Sequence, residues 1–211
     1  MKNYFILVLI GLFMHSFGQK FEKFNKEEKQ LIQTNSTEMM RVYNRVNTQD
    51  SIILKSISNP IKPRHKFTKL LAKRMLLSVK HEGGVGIAAP QVGINRRMVW
   101  VQRFDKVNKP FEVFINPEIT WASDLMQLGP EGDLSFEDRG MVMRHYIVQV
   151  QYQNLEGKTI NEVLEGFTAV IFQHERDHLD GILLTDRIKE QEEMKFEKTD
   201  AHSNLYHRIQ D

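Results

Sequence analysis

Phe167-Thr168-Ala169-Val170-Ile171-Phe172-Gln173-His174-Glu175-Arg176-Asp177-His178-Leu179-Asp180-Gly181 carries apolar and chemical residues at helical spacing in one run. The periodicity predicts a helix from roughly Glu162 through His178, stopped near Gly181. Histidines at i and i+4 lie on one helical face, so both imidazoles can meet one metal ion. The intervening glutamate can reach a water activated by that ion. Phe167, Val170 and Ile171 turn the same face towards a core, which argues against two solvated histidines on a polar helix. Two histidines leave the site incomplete, because catalytic zinc-type sites use three protein ligands and keep an open position.

Around this helix the chain alternates short elements. Phe67, Leu70, Leu71, Met75 and Val79 predict an earlier helix ending at Gly83-Gly84. Met98 to Gln102 and Phe111 to Asn116 read as strands, and Val148, Val150 and Tyr152 alternate with Gln149 and Gln151 as in a half-buried strand. Asn59-Pro60-Ile61-Lys62-Pro63 is a break, and Glu156-Gly157 is a turn. Gly83 to Gly93 is dense in small residues and reads as a tight loop; it lacks the Lys-Ser/Thr of a phosphate loop. Glu131-Gly132-Asp133-Leu134-Ser135 reads as a short acidic turn. Helices interleaved with strands, without regular βαβ alternation, predict an α+β fold.

Composition narrows the class. Of 211 residues, 41% are hydrophobic and 27% charged, too apolar for a disordered chain and too polar for a multi-span membrane protein. The formal net charge is +2 and no basic block of five or more residues occurs, so no nucleic-acid partner is expected. Cysteine is absent, which excludes disulfides, a cysteine nucleophile and cysteine-ligated zinc. Lys2, the apolar run Tyr4 to Met14 and the small residues of Ser16-Phe17-Gly18 follow the order of a secretory signal peptide. That run is short for a bilayer span, which disfavours the other reading, an uncleaved anchor. The expected organisation is a signal peptide over 1–18, a partly helical extension over 19–47, a catalytic domain over 48–190 and a polar tail over 191–211. The protein is expected to be exported, with no stable membrane span after cleavage; the oligomeric state is open.

In order and spacing, three segments resemble the motifs of the peptide deformylase family. They are Gly84-Val85-Gly86-Ile87-Ala88-Ala89-Pro90-Gln91, Glu131-Gly132-Asp133-Leu134-Ser135, and His174 to Gly181. Phe114-Ile115-Asn116-Pro117-Glu118 and the stretch Arg139 through Tyr152, read as one strand, are also similar, so the likeness covers about residues 48–190. It implies short antiparallel sheets packed around a central helix carrying the histidines. The implied activity is removal of the N-formyl group from N-formylmethionyl (or other N-acyl) peptides.

One position departs. The family has a metal-binding cysteine where this chain has Asp133, so the implied ligand set is Asp133, His174 and His178. Two histidines and a carboxylate can hold a divalent ion. The harder oxygen ligand favours iron(II), with zinc, manganese, cobalt or nickel as further candidates. In the implied mechanism a metal-bound hydroxide attacks the formyl carbonyl. Glu175 acts as general base and then acid, and the Leu134 backbone N–H and the Gln91 amide stabilise the oxyanion. Gly86, without a Cβ, would let the substrate backbone approach. Val85, Phe167, Val170 and Ile171 would line a pocket for a methionine-like side chain, although each is equally explicable as core. Two other readings remain. A zinc-type metallopeptidase would use the same helix but lacks a downstream glutamate ligand and leaves the Ala88 to Gln91 loop unexplained. A non-catalytic deformylase-like binding protein would fit the loss of the cysteine.

Overall fold

The computed structural model describes residues 21–209, so the expected signal peptide over 1–18 lies outside the described residues. Two antiparallel sheets organise the chain. The larger contains β1 (Gly86–Ala88), β2 (Met98–Gln102), β3 (Phe111–Ala122), β6 (Ile147–Gln153) and β7 (Thr159–Glu165), in that spatial order. The smaller contains β4 (Leu125–Asp133), β5 (Phe136–His145), β8 (Lys195–Lys198) and β9 (Leu205–Ile209), ordered β5-β4-β9-β8. Among the described residues five α-helices accompany them: α1 (Lys26–Gln33), α2 (Thr48–Leu54), α3 (Lys66–His81), α4 (Gly166–Leu179) and α5 (Leu184–Gln191). None is long and apolar enough to cross a membrane among the described residues.

The larger sheet is apolar on both faces, and β2 shows why. Met98 and Trp100 point to one side, where Leu71, Met75 and Val79 of α3 cover them. Val99 and Val101 point to the other, against Ala169, Ile171 and Phe172 of α4. A strand side chain alternates faces, so one five-residue run feeds two cores. Helix α4 therefore lies on the sheet with its apolar stripe inward, as an α+β fold of this kind requires.

Several elements differ from the sequence reading. Residues 162–165 belong to β7, so α4 starts at Gly166 rather than near Glu162. Their apolar residues suit either period, and seven register pairs with β6, from Ile147↔Glu165 to Gln153↔Thr159, decide the matter. Glu131 to Asp133 is the end of a nine-residue strand rather than a free turn. Arg139 through Tyr152 forms two strands in different sheets, β5 and β6. The strand from Phe111 continues past Asn116 to Ala122. The glycine-rich loop contains β1 and a 3-10 turn over Ala89–Val92. Among the described residues of the 19–47 extension only Lys26–Gln33 is helical, and Phe24, Ile32 and Met40 are buried in the α3 core. Arg74 holds this segment down, donating to the carbonyls of Leu31, Ile32, Glu38 and Met39. The 191–211 tail is not featureless either: β9 pairs with β4 through Leu125↔His207 to Gln127↔Leu205.

Candidate metal centre

The site forms where the smaller sheet meets α4. Asp133 ends β4, at a register shift between Gly132 and Asp133 in the ladder with β5. Such bulges re-aim a side chain out of the regular alternation. His174 and His178 sit one helical turn apart, with ring centroids 5.0 Å apart. Asp133 Oδ2 lies 3.2 Å from His178 Nε2 and 3.8 Å from His174 Nε2. One ligand atom from each residue falls within 4.8 Å of the others. Asp133 Oδ2, Glu175 Oε2 and both ring nitrogens of His178 are buried without a hydrogen-bond partner. Buried polar atoms are normally paired, so Asp133 Oδ2 and His178 Nε2, unpartnered at 3.2 Å from each other, fit a cation between them. The donor set suits a divalent ion.

A chain of charges fixes the ligands. His174 Nδ1 faces Glu131 Oε2 at 2.9 Å, so the carboxylate favours a proton on Nδ1 and leaves Nε2 free to bind metal. Arg144 grips Glu131 with two bonds of 2.8 and 2.9 Å and donates to Asp177, which Arg187 also holds. Burial would raise the Glu131 carboxyl, but Arg144 and His174 outweigh it and hold it at about 2. Asp133 is likewise held at about 2: burial opposes ionisation, and the two histidines and the Ser135 N–H overcome it. Burial lowers His174, yet the bond to Glu131 and the surrounding carboxylates carry it up to about 9. Burial pushes the Glu175 carboxyl up to about 7, partly countered by the two histidines. A bound cation would favour neutral imidazoles and ionised carboxylates.

The sequence-predicted residues converge on a cavity of about 770 Å³ whose wall includes Val85, Gly86, Gln91, Asp133, Leu134 and Glu175. Phe167, Val170, Ile171 and His174 also line it, whereas His178 sits behind the wall, 1% exposed. Phe167 is 49% exposed at the mouth and packs edge-on against Phe104. Val170 and Ile171 are buried, and Ile171 doubles as core. Gly86 lines the cavity and also meets Glu175: a Cβ there would overlap the Glu175 carboxylate, so the missing side chain makes room for Glu175. Gln91 is buried, and its Nε2 donates to Asp133 Oδ1 at 3.0 Å. The sequence reading missed the work of Glu131, Arg144 and Asp177. The register shift after Gly132 breaks the strand alternation there, so no local pattern linked Glu131 to Asp133.

The polypeptide deformylase family model matches residues 42–194. The chain belongs to this family of enzymes. The peptide deformylase of Thermotoga neapolitana is 42% identical over 138 residues, 65% of this chain and 82% of that protein. That of Thermotoga maritima is 44% identical over 131 residues, 60% of this chain and 77% of that protein. Among solved structures, the Met-Ala-Ser-bound class I type b peptide deformylase of Acinetobacter baumannii superposes with a TM-score of 0.64 at 38% identity. It covers 71% of this chain and 98% of that one. The Thermotoga maritima peptide deformylase structure gives 0.64 at 35% identity, over 71% and 97%. The α+β deformylase fold expected from the sequence is therefore the fold observed.

Proposed function

We propose that this deformylase-family enzyme hydrolyses N-formylmethionyl peptides, with a divalent ion held by Asp133, His174 and His178. The observation that carries the reading is the pair of unpartnered buried atoms Asp133 Oδ2 and His178 Nε2, 3.2 Å apart, with Asp133, His174 and Glu175 lining the cavity. A divalent ion in this seat supplies Lewis acidity, polarising a carbonyl and making a water easier to deprotonate. Glu175 takes the proton from water as the oxygen adds to the formyl carbon. It then delivers that proton to the departing amine as the C–N bond breaks, leaving formate and a free N-terminus. The Leu134 N–H and the second hydrogen of Gln91 Nε2 receive the developing negative oxygen. Val85, Phe167, Val170 and Ile171 supply apolar surface for a methionine-like side chain.

We further propose that the enzyme is exported and that Asp133 suits that destination. A thiolate ligand oxidises to acids that no longer bind metal, whereas a carboxylate does not. Iron(II) is the favoured ion, with zinc, manganese, cobalt and nickel to be compared. The test is metal analysis of anaerobically purified protein combined with turnover of formyl-Met and acetyl-Met peptides. The expected result is one divalent ion per chain and cleavage of the formyl peptide ahead of the acetyl one. A metal-loaded protein that binds formyl peptides without cleaving them would establish the binding-protein alternative. N-terminal sequencing of the native protein tests export, with Gln19 expected as the first residue.

A further inference from the structure

We propose that Gln91 is a positioning residue for Asp133, holding the carboxylate so that a single oxygen faces the metal seat. This rests on Asp133 being a metal ligand. A carboxylate has a freedom that a thiolate lacks: its terminal torsion is broad, and it can present one oxygen or two. Here the choice is made by two donors on Oδ1, the Ser135 backbone N–H at 2.7 Å and Gln91 Nε2 at 3.0 Å. Oδ2 is left without a hydrogen bond and turned towards both imidazoles.

The Gln91 amide is itself fixed in orientation. The Ala88 N–H donates to Gln91 Oε1 at 2.8 Å. A flipped amide would set an NH₂ against that N–H and an acceptor against the Asp133 carboxylate, so the NH₂ must face Asp133. The residue is 1% exposed, and its backbone carbonyl accepts the Tyr43 N–H at 2.7 Å, which ties the turn to the 40–47 segment. The second Nε2 hydrogen makes only a long contact, 3.4 Å, to Ser135 Oγ. That hydrogen is the one a substrate oxygen can recruit while the bond to Asp133 persists. One amide thus serves both ligand order and oxyanion binding.

A sulfur at position 133 would be a single donor atom with no second oxygen to restrain, so the metal-holding role of Gln91 belongs to the aspartate form. A cycle with cobalt(II) as probe separates the possibilities, with affinity read by chelator competition and visible absorption. Gln91→Met keeps the volume and removes the donor. It should weaken cobalt binding by ~10-fold or more in the parent, as loss of outer-shell partners does. In an Asp133→Cys background, kept reduced, the same change should cost under ~3-fold, below that outer-shell range. Gln91→Asn, one methylene short of reaching Asp133, should follow Gln91→Met. Melting of the metal-free proteins reports any common loss of fold, which cancels between the two backgrounds. Equal losses in both backgrounds, or none in the parent, overturn the proposal. Asp133→Ala binding cobalt as tightly as the parent would instead remove the ligand assignment beneath it.

Discussion

Two charged clusters lie along α4, and they are solved in opposite ways. Near its start, Arg103 is 1% exposed yet fully engaged, reaching Asp105, Glu112 and Glu162 at 2.6 to 2.9 Å. Thr168 of α4 donates to Asp105, and the Tyr152 hydroxyl donates to Glu162. Near its end, Asp133, His178 and Glu175 keep buried atoms that meet no partner. Burying a charge costs free energy unless it is paired, so the first cluster closes on itself and contributes structure. The second is left open for a ligand to complete. A buried polar network that satisfies itself has nothing to offer a substrate.

The sharpest way to break this contrast is Asp133→Ala. It should abolish tight metal binding and lower formyl-peptide turnover by ~1,000-fold or more, since metal stabilisation of the transition state amounts to several kcal/mol. Asp133→Cys should be active when reduced and lose both metal and activity after peroxide, while the parent survives the same treatment. Metal content and turnover measured side by side decide both.

Glu175→Gln comes next. The amide cannot take the proton, so turnover should fall by at least ~100-fold with metal retained. Full activity in the metal-loaded variant would remove Glu175 from the chemistry. Gly86→Ala is the steric counterpart. Its methyl would meet the Glu175 carboxylate and displace it, and a misplacement of about 1 Å can cost ~100-fold. Metal content should be unchanged. Unaltered kcat in Gly86→Ala would mean that the Glu175 position is not critical.

How much of this was legible follows from distance along the chain. His174, Glu175 and His178 are local to one helix, and i, i+4 spacing alone brings the two imidazoles to a common point. Asp133 came from the likeness to a family motif, because nothing local says that the end of β4 meets α4. The Glu131–Arg144–Asp177 chain was not legible, since it needs the β4–β5 ladder and the packing of α4 together. Likewise, Lys195–Lys198 and Leu205–Ile209 look like a charged tail until β4 offers β9 an edge. Gly86 was singled out for substrate approach, and its contact with Glu175 was not foreseen. A missing side chain reveals that something comes close, and only the folded chain shows that it is Glu175.

The closed cluster gives the smaller effects. Arg103→Met leaves Asp105, Glu112 and Glu162 without the guanidinium that joins them, although Lys106 still reaches Glu112 at 2.8 Å and Glu162 at 3.8 Å. Each carboxylate is 21 to 29% exposed, so water relieves part of the cost. The expected loss is about 2–3 kcal/mol of stability, below the range for fully buried pairs. Metal affinity and kcat should stay at parent values, measured below the lowered melting temperature. A change in metal affinity would mean that the two clusters communicate through α4.

Asp105→Asn is the mildest test and carries a pH signature. The hydrogen bond from Arg103 is the main cause that holds the Asp105 carboxyl at about 2, against 3.8 ordinarily; burial opposes it, and Thr168 adds to it. A depressed folded-state pKa means that the unfolded chain takes up the proton first as pH falls. The stabilisation is therefore fully present above about pH 3.8 and is lost as pH falls through 2. The shift corresponds to about 1–2 kcal/mol after allowance for partial exposure. Urea midpoints of parent and Asp105→Asn should differ most at neutral pH and converge between pH 4 and pH 2. Other carboxylates titrate in that window, but they are common to both proteins and drop out of the difference. A gap that stayed constant down to pH 2 would show that Asp105 is stabilised by something other than its charge, and the closed cluster would lose its electrostatic explanation.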